Sequence, residues 1–208
     1  MSTPEARGDG GGAVRGRILN AAFSAFLETG YAETTTLEIA RRAKVSKREL
    51  YALVGNKQEM LLACIRERAD RLRLPADLPK PRDRDALERA LVAFGTQLLR
   101  ETTNATVIAA FRLAIGEAAR TPEVAAALDT VGRQSGRAAL AGIMSDARSR
   151  GLLTGRPAEM AEQFASLLWG DLMVSLLLRT VDTPTHVEVV RRARAAATAI
   201  LQLHSQAP

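Results

Sequence analysis

Residues Thr34–Leu62 read TTTLEIARRAKVSKRELYALVGNKQEMLL. The stretch encodes two short helices joined by a tight turn, with positive charge gathered around the turn. Thr35 is placed as the N-cap of the first helix, with Glu38 three residues on in capping-box position. That helix spans 36–43, and its inner face is Leu37, Ile39, Ala40 and Ala43. Lys44 and Val45 form the turn. Ser46 caps the second helix, with Glu49 at the box position, and the helix ends near Leu53. Val45 and Leu50 turn inward. Gly55 and Asn56 break the chain before a longer helix from Lys57 to Arg73. Two helices this short and this close together are the pattern of a helix-turn-helix. There the second helix enters the major groove of DNA while the first crosses the backbone.

On that reading Lys47, Arg48, Ala52 and Tyr51 face outward. Arg48 is the candidate for a base edge, because its planar fork matches the O6 and N7 acceptors of guanine. Lys47 is a flexible point charge that suits either a base or a phosphate. Thr35, Arg42, Lys44, Ser46, Tyr51 and Lys57 are candidates for the backbone, which positions without specifying. Lys57 opens the long helix, where charge and dipole both favour an anion. Loss of Lys57 is therefore expected to lower the salt slope of binding by about one unit. Each cation has a plainer alternative, a solvated helix face, and Tyr51 an alternative as core cover.

Working outward, residues 1–12 are rich in Gly and polar groups and read as a disordered tail in which Arg7 is solvated. A helix follows over 13–29, carrying Arg15 and Arg17 near its start. Ile18, Ala21, Ala22, Ala25 and Phe26 fall on one face of it. Gly30 stops it, and Tyr31 folds back onto the small core. Pro75, Pro79 and Pro81 mark a boundary. Helices are expected over 83–101, 104–120, 122–150, 157–179 and 184–204, about nine in all and with no strand. The organisation is then a tail (1–12), a helix-turn-helix domain (13–56), a linking helix (57–74) and an all-helical remainder (75–208).

The chain has 208 residues, 47% of them hydrophobic, enough for a sizeable core. Lys and Arg number 29 against 23 Asp and Glu, a formal charge of +6 that suits a polyanion without proving one. The single cysteine, Cys64, excludes an internal disulfide and fits a reducing cytoplasm. It reads as a small buried hydrophobe, with redox sensing as the alternative. No signal peptide and no membrane-length apolar run appears; the longest, FASLLWGDLMVSLLL, is interrupted by Gly170 and Asp171. An enzyme finds no support. His186 and His204 lie outside metal spacing, no phosphate-binding glycine loop is present, and Asp83 and Asp85 look like helix-start charges. No cofactor or metal is expected.

Residues 13–65 resemble the TetR family of transcriptional regulators. The landmarks are Gly30-Tyr31, Thr34-Thr35, Ile39-Ala40, Ala43, Val45-Ser46, Leu50-Tyr51 and Lys57-Gln58-Glu59. The resemblance implies an all-α protein: a three-helix DNA-binding head, a linking fourth helix, and a helical ligand-binding and dimerisation domain. It implies a homodimer that represses transcription and is released from its operator by a small molecule. Two departures stand out. The family usually has glycine where this chain has Lys44, and His-Phe where it has Leu53-Val54.

The second half is then read for partner and pocket. Leu167, Leu168, Leu172, Val174, Leu176 and Leu177 leave 157–179 apolar nearly all round, and Val187, Val190, Ala193, Ala197, Ile200 and Leu201 give the last helix an apolar stripe. Two such helices per protomer would form a four-helix dimer bundle, with Leu168, Leu172, Leu176, Val190, Ala197 and Leu201 at the interface. The alternative is that they fill the core of one subunit. Candidate pocket linings are Phe94, Gln97, Phe111, Phe164, Trp169 and Met173, with Arg112 or Asp171 for polarity, and plain core is the alternative for each. The low aromatic content points to an apolar effector. Such a ligand would act by favouring one of two head spacings, with 57–73 as lever. The rivals are an architectural DNA-binding protein without an effector and a helical adaptor without an operator.

Overall fold

The computed structural model describes residues 9–70, 81–120 and 122–205. Among them are eleven α-helices, one π-helical segment and no strand: α1 (Asp9–Thr29), α2 (Thr36–Ala43), α3 (Lys47–Leu53), α4 (Lys57–Asp70), α5 (Arg84–Thr102), α6 (Ala105–Glu117), α7 (Pro122–Ala127), the π segment (Leu128–Arg133), α8 (Gln134–Ser149), α9 (Pro157–Trp169), α10 (Leu172–Leu178) and α11 (His186–Leu203). The all-α expectation holds, and α2 and α3 carry the expected bounds. Helix α1 starts at Asp9, four residues before the expected Ala13. The remainder of the expected tail, with Arg7, and the proline-marked boundary through Pro79 lie outside the described residues.

Two expected helices are subdivided, which accounts for the larger count. Residues 122–150 carry the π segment between α7 and α8. Residues 157–179 break at Gly170, whose φ of 47° and ψ of −126° are open to glycine and not to L side chains, and the axes of α9 and α10 bend by 48° there. Among the described residues no single helix is long and apolar enough to cross a membrane.

The described residues of Met1–Arg68 and Ala109–Asp129 form one compact unit, and those of Ala69–Ile108 and Thr130–Pro208 a second. In the first, α1 buries Ile18, Leu19, Ala22, Phe23, Ala25 and Phe26. Facing them are Ile39, Ala40 and Ala43 of α2, Leu50 of α3, and Met60, Leu61, Cys64 and Ile65 of α4. Full burial of each large member is worth about 1.5–3 kcal/mol. Cys64 is a buried hydrophobe whose thiol donates to the Leu19 carbonyl at 3.3 Å, tying α4 to α1. Ala21 is only half-buried, and Leu19 and Phe23 complete the apolar face that the sequence outlined.

In the second unit α11 packs on α5 and α9, and α8 on α9. Its core gathers Leu87, Leu91 and Phe94 from α5, Leu140 and Met144 from α8, Phe164 and Leu168 from α9, and Val189, Ala193 and Ile200 from α11. Gly95 permits a close approach of three helices. A Cβ there would stand 3.2 Å from each of Ala193 Cβ, Leu168 Cδ1 and Phe164 Cζ. Asp83 is the N-cap of α5, accepting from the Ala86 amide at 2.7 Å, so its helix-start reading holds.

Candidate nucleic-acid interface

The turn between α2 and α3 is built by backbone geometry that the sequence only partly advertises. Lys44 sits at φ 55°, ψ 48°, the left-handed region, and closes α2. Its amide donates to Arg41 O at 3.2 Å and that of Val45 to Ala40 O at 3.1 Å, the two bonds of a Schellman cap. Glycine reaches this conformation freely; a lysine does so at a cost of roughly 1–2 kcal/mol. Ser46 then caps α3, its hydroxyl oxygen accepting from the Glu49 amide at 3.1 Å. Leu50 alone of α3 is buried, and it anchors the helix to the core.

Everything else on the outer side of α3 faces solvent. Ser46, Lys47, Arg48, Tyr51 and Ala52 are exposed, as is Lys44 in the turn. Among the described residues no carboxylate pairs with Lys44, Lys47 or Arg48. The Ser46 hydroxyl has spent a lone pair on its cap and keeps its proton to donate, and so does Thr35, which accepts from the Glu38 amide at 3.2 Å. The Tyr51 phenol lies 3.2 Å from the Thr36 hydroxyl, so α2 steadies the ring that α3 presents.

Two residues expected at the DNA backbone have partners within the chain. Arg42 donates through Nε to Glu38 at 2.7 Å and through Nη1 to Glu28 at 2.6 Å, clamping α2 to α1. Lys57 directs its ammonium at three carbonyls, Tyr31 at 2.8 Å and Ala32 and Thr34 at 3.1 Å each, and lies over the Tyr31 ring. An ammonium has three protons, and all three are engaged. The expected capping box at Thr35 is half made, because the Glu38 carboxylate turns to Arg41 and Arg42. Those hydrogen bonds, Arg41 before Arg42, hold Glu38 below its ordinary pKa. A reciprocal box forms instead at the start of α4. Asn56 Oδ1 accepts from the Glu59 amide at 3.0 Å, and Glu59 returns to the Asn56 amide at 2.7 Å. The Glu59 carboxylate therefore occupies the anion-attracting end of α4.

Sequence reasoning gave Thr34 a place among the family landmarks but no role of its own. It is buried, and its hydroxyl lies 2.7 Å from Gly30 O, 3.2 Å from Ala25 O and 2.9 Å from the Thr29 hydroxyl. With Tyr31 packed against Phe26, ring centres 5.4 Å apart and planes tilted by 50°, it fixes the loop that delivers the first turn of α2. Burial first, then Glu123 and Glu117, raises the Tyr31 pKa. Leu37, expected inward, is 66% exposed. It stands two residues from Ile39, so at 100° per residue it points nearly opposite to that side chain and falls outside the buried face of Ile39, Ala40 and Ala43.

The residues proposed for partner and ligand distribute differently from expectation. Leu168, Leu172, Leu176, Ala197 and Leu201 are buried within the chain itself, because the second unit uses them as its core. Only Val190 of that set is part-exposed. The apolar surface offered by the last helices and the loop between them includes Leu167, Val174, Leu178, Val181, Val187 and Leu203, beside an open groove of about 770 Å³ along α11 that includes Val190, Arg194, Thr198 and Ala199. Phe94 and Phe164 pack together in the core, their rings 6.5 Å apart. Gln97, Trp169 and Met173 are half-buried in the second unit, and Phe111 and Arg112 are half-buried in α6 within the first. His204 ends α11 with its ring nitrogens 2.8 Å from Thr154 O and 2.6 Å from Gln163 Oε1.

A short helix held by one buried leucine, carrying unpaired cations behind a tight turn, is the geometry of a DNA-reading head. Residues 18–64 match the family described as bacterial regulatory proteins, tetR family, and residues 89–205, more than half of the chain, match the AefR-like transcriptional repressor C-terminal domain. The chain belongs to the TetR family. No curated protein sequence matches it. Solved TetR-family structures resemble it over nearly their whole length. The flavonoid-responsive regulator FrrA is 28% identical, with 95% of this chain and 100% of that one covered and a TM-score of 0.79. A TetR transcriptional regulator from Agrobacterium tumefaciens is 27% identical, with 91% and 94% covered and a TM-score of 0.76. A third TetR family regulator, from Pseudomonas syringae pv. tomato, shares the fold at 22% identity and TM-score 0.70, with 94% and 98% covered. The protein is thus a DNA-binding transcriptional regulator, of a family of transcription factors rather than enzymes.

Proposed function

We propose that this TetR-family regulator is a cytoplasmic homodimer that represses transcription from a palindromic operator and is released by a small, largely apolar ligand. The observation that carries the DNA reading is the exposed, unpaired set Lys44, Lys47 and Arg48 around α3. Arg48 reads a base edge, Lys47 a base or phosphate, and Lys44, Ser46, Thr35 and Tyr51 hold the backbone. Arg42 and Lys57 act at one remove, fixing α2 and its preceding loop. The sign of regulation is supported by the match to a repressor C-terminal domain, and ligand response by the description of FrrA as flavonoid-responsive. Self-association is supported by the exposed apolar residues of α9 to α11, because a two-fold pair spans two half-sites.

Fluorescence anisotropy on operator and scrambled duplexes at physiological salt tests this. Arg48→Ala is expected to lose about 1–3 kcal/mol of discrimination at one base pair per half-site. Retention of the parent's full preference would remove Arg48 from the base contacts. A flavonoid panel added to the complex tests release.

A further inference from the structure

We propose that Leu37 is a specificity-determining residue, reading the C5-methyl of one thymine in each half-site. This rests on the reading of α3 as the groove-entering helix. Leu37 is 66% exposed although it belongs to a helix whose apolar face is otherwise buried. Its neighbour Thr36 lies 3.2 Å from the Tyr51 phenol, so the first turn of α2 and the exposed side of α3 meet at one edge of the head. The charged residues of α2 are engaged within the protein: Glu38 holds Arg41 and Arg42, and Arg42 also holds Glu28. What α2 has left to present at that edge is the hydroxyls of Thr35 and Thr36 and the isobutyl group of Leu37. In the major groove the apolar group that distinguishes one base from another is the thymine methyl. Contact between two apolar groups that are both hydrated in the free molecules is favourable by area alone, about 0.8 kcal/mol for one methyl-sized group, which is roughly fourfold in affinity.

The test uses full-length protein and its selected operator, with each dT replaced in turn by deoxyuridine, which lacks only the methyl. The parent is expected to lose roughly fourfold in affinity per half-site at one symmetric position. Leu37→Ala and Leu37→Gln are expected to bind the thymine and uracil operators equally at that position. Because the side chain is exposed, both variants are expected to melt with the parent, which a thermal scan verifies. If parent and variants respond alike to deoxyuridine at every position, Leu37 is no reader and the reading of α3 survives. If the parent enriches no sequence from a DNA pool, both readings fall together.

Discussion

The Lys57 ammonium donates to the Tyr31 carbonyl at 2.8 Å and lies 4.6 Å from the centre of the same residue's ring. One side chain thus fixes both the backbone and the aromatic plug of the loop before α2. Lys57→Met keeps most of the aliphatic stem and removes the charge. It is expected to lower the stability of the head by roughly 2 kcal/mol, the worth of charge-assisted hydrogen bonds plus a cation–π contact. The salt slope of DNA binding is expected to stay at the parent value. Thermal unfolding and a salt titration check the two halves. An unchanged melting temperature with a slope reduced by about one unit would return Lys57 to the phosphate backbone.

The clamp on α2 has a pH signature. Arg41 and Arg42 hold the Glu38 carboxylate below its ordinary value of 4.5. A lowered folded-state pKa means that the unfolded chain takes up the proton first as acid is added. The stabilisation is therefore complete above pH 4.5 and is lost as pH falls through the lowered value. Melting the parent beside Glu38→Gln across this range should give a gap that is constant near neutrality and closes below pH 4.5. A gap that persists undiminished into strong acid would contradict the clamp.

Lys44 carries two opposing roles, and glycine separates them. Lys44→Gly relieves left-handed strain while adding freedom to the unfolded chain. The net gain is expected to be about 0.5–1 kcal/mol of stability. Loss of the charge is expected to weaken binding to all sequences alike and to reduce the salt slope by about one unit. A variant more stable and equally tight on DNA would show that Lys44 serves the turn alone.

Two substitutions on α11 distinguish surface from core. Val187 is 74% exposed, whereas Leu201 is buried among the chain's own helices. Val187→Asp is expected to yield a folded monomer in sedimentation, and Leu201→Asp a subunit that fails to fold. Dimerisation by Val187→Asp as strong as the parent's would place the self-association face elsewhere.

Much of the head was legible because its signals are local. Caps at Thr35 and Ser46, the break at Gly55-Asn56 and the anchor Leu50 depend on neighbours within a few residues, and each stands where expected. The partners that Arg42 and Lys57 find within the chain were not legible, because Glu28 and the carbonyls of Tyr31, Ala32 and Thr34 lie 14 to 26 residues away. The Glu38 pairs of Arg41 and Arg42 follow helical spacing, whereas these longer-range partners are set by tertiary contacts that no spacing reveals. Leu37 shares three-residue spacing with Ala40, which alone does not place it inward, and the structure leaves it 66% exposed. The apolar helices of the second half posed a different limit. Leu168 and Leu178 look alike in sequence, and only packing separates the buried one from the exposed one. The break at Gly170 was visible as an interruption, yet its 48° bend follows from a backbone conformation and not from composition.

Selection of bound duplexes from a random DNA pool, by the full-length protein at physiological salt, tests the central claim most directly. The account predicts an enriched palindrome whose half-sites lie about one helical turn, or a multiple of it, apart, with Arg48→Ala losing preference at the same base pair in both halves. Enrichment of a single unsymmetrical site, or of nothing, would contradict it.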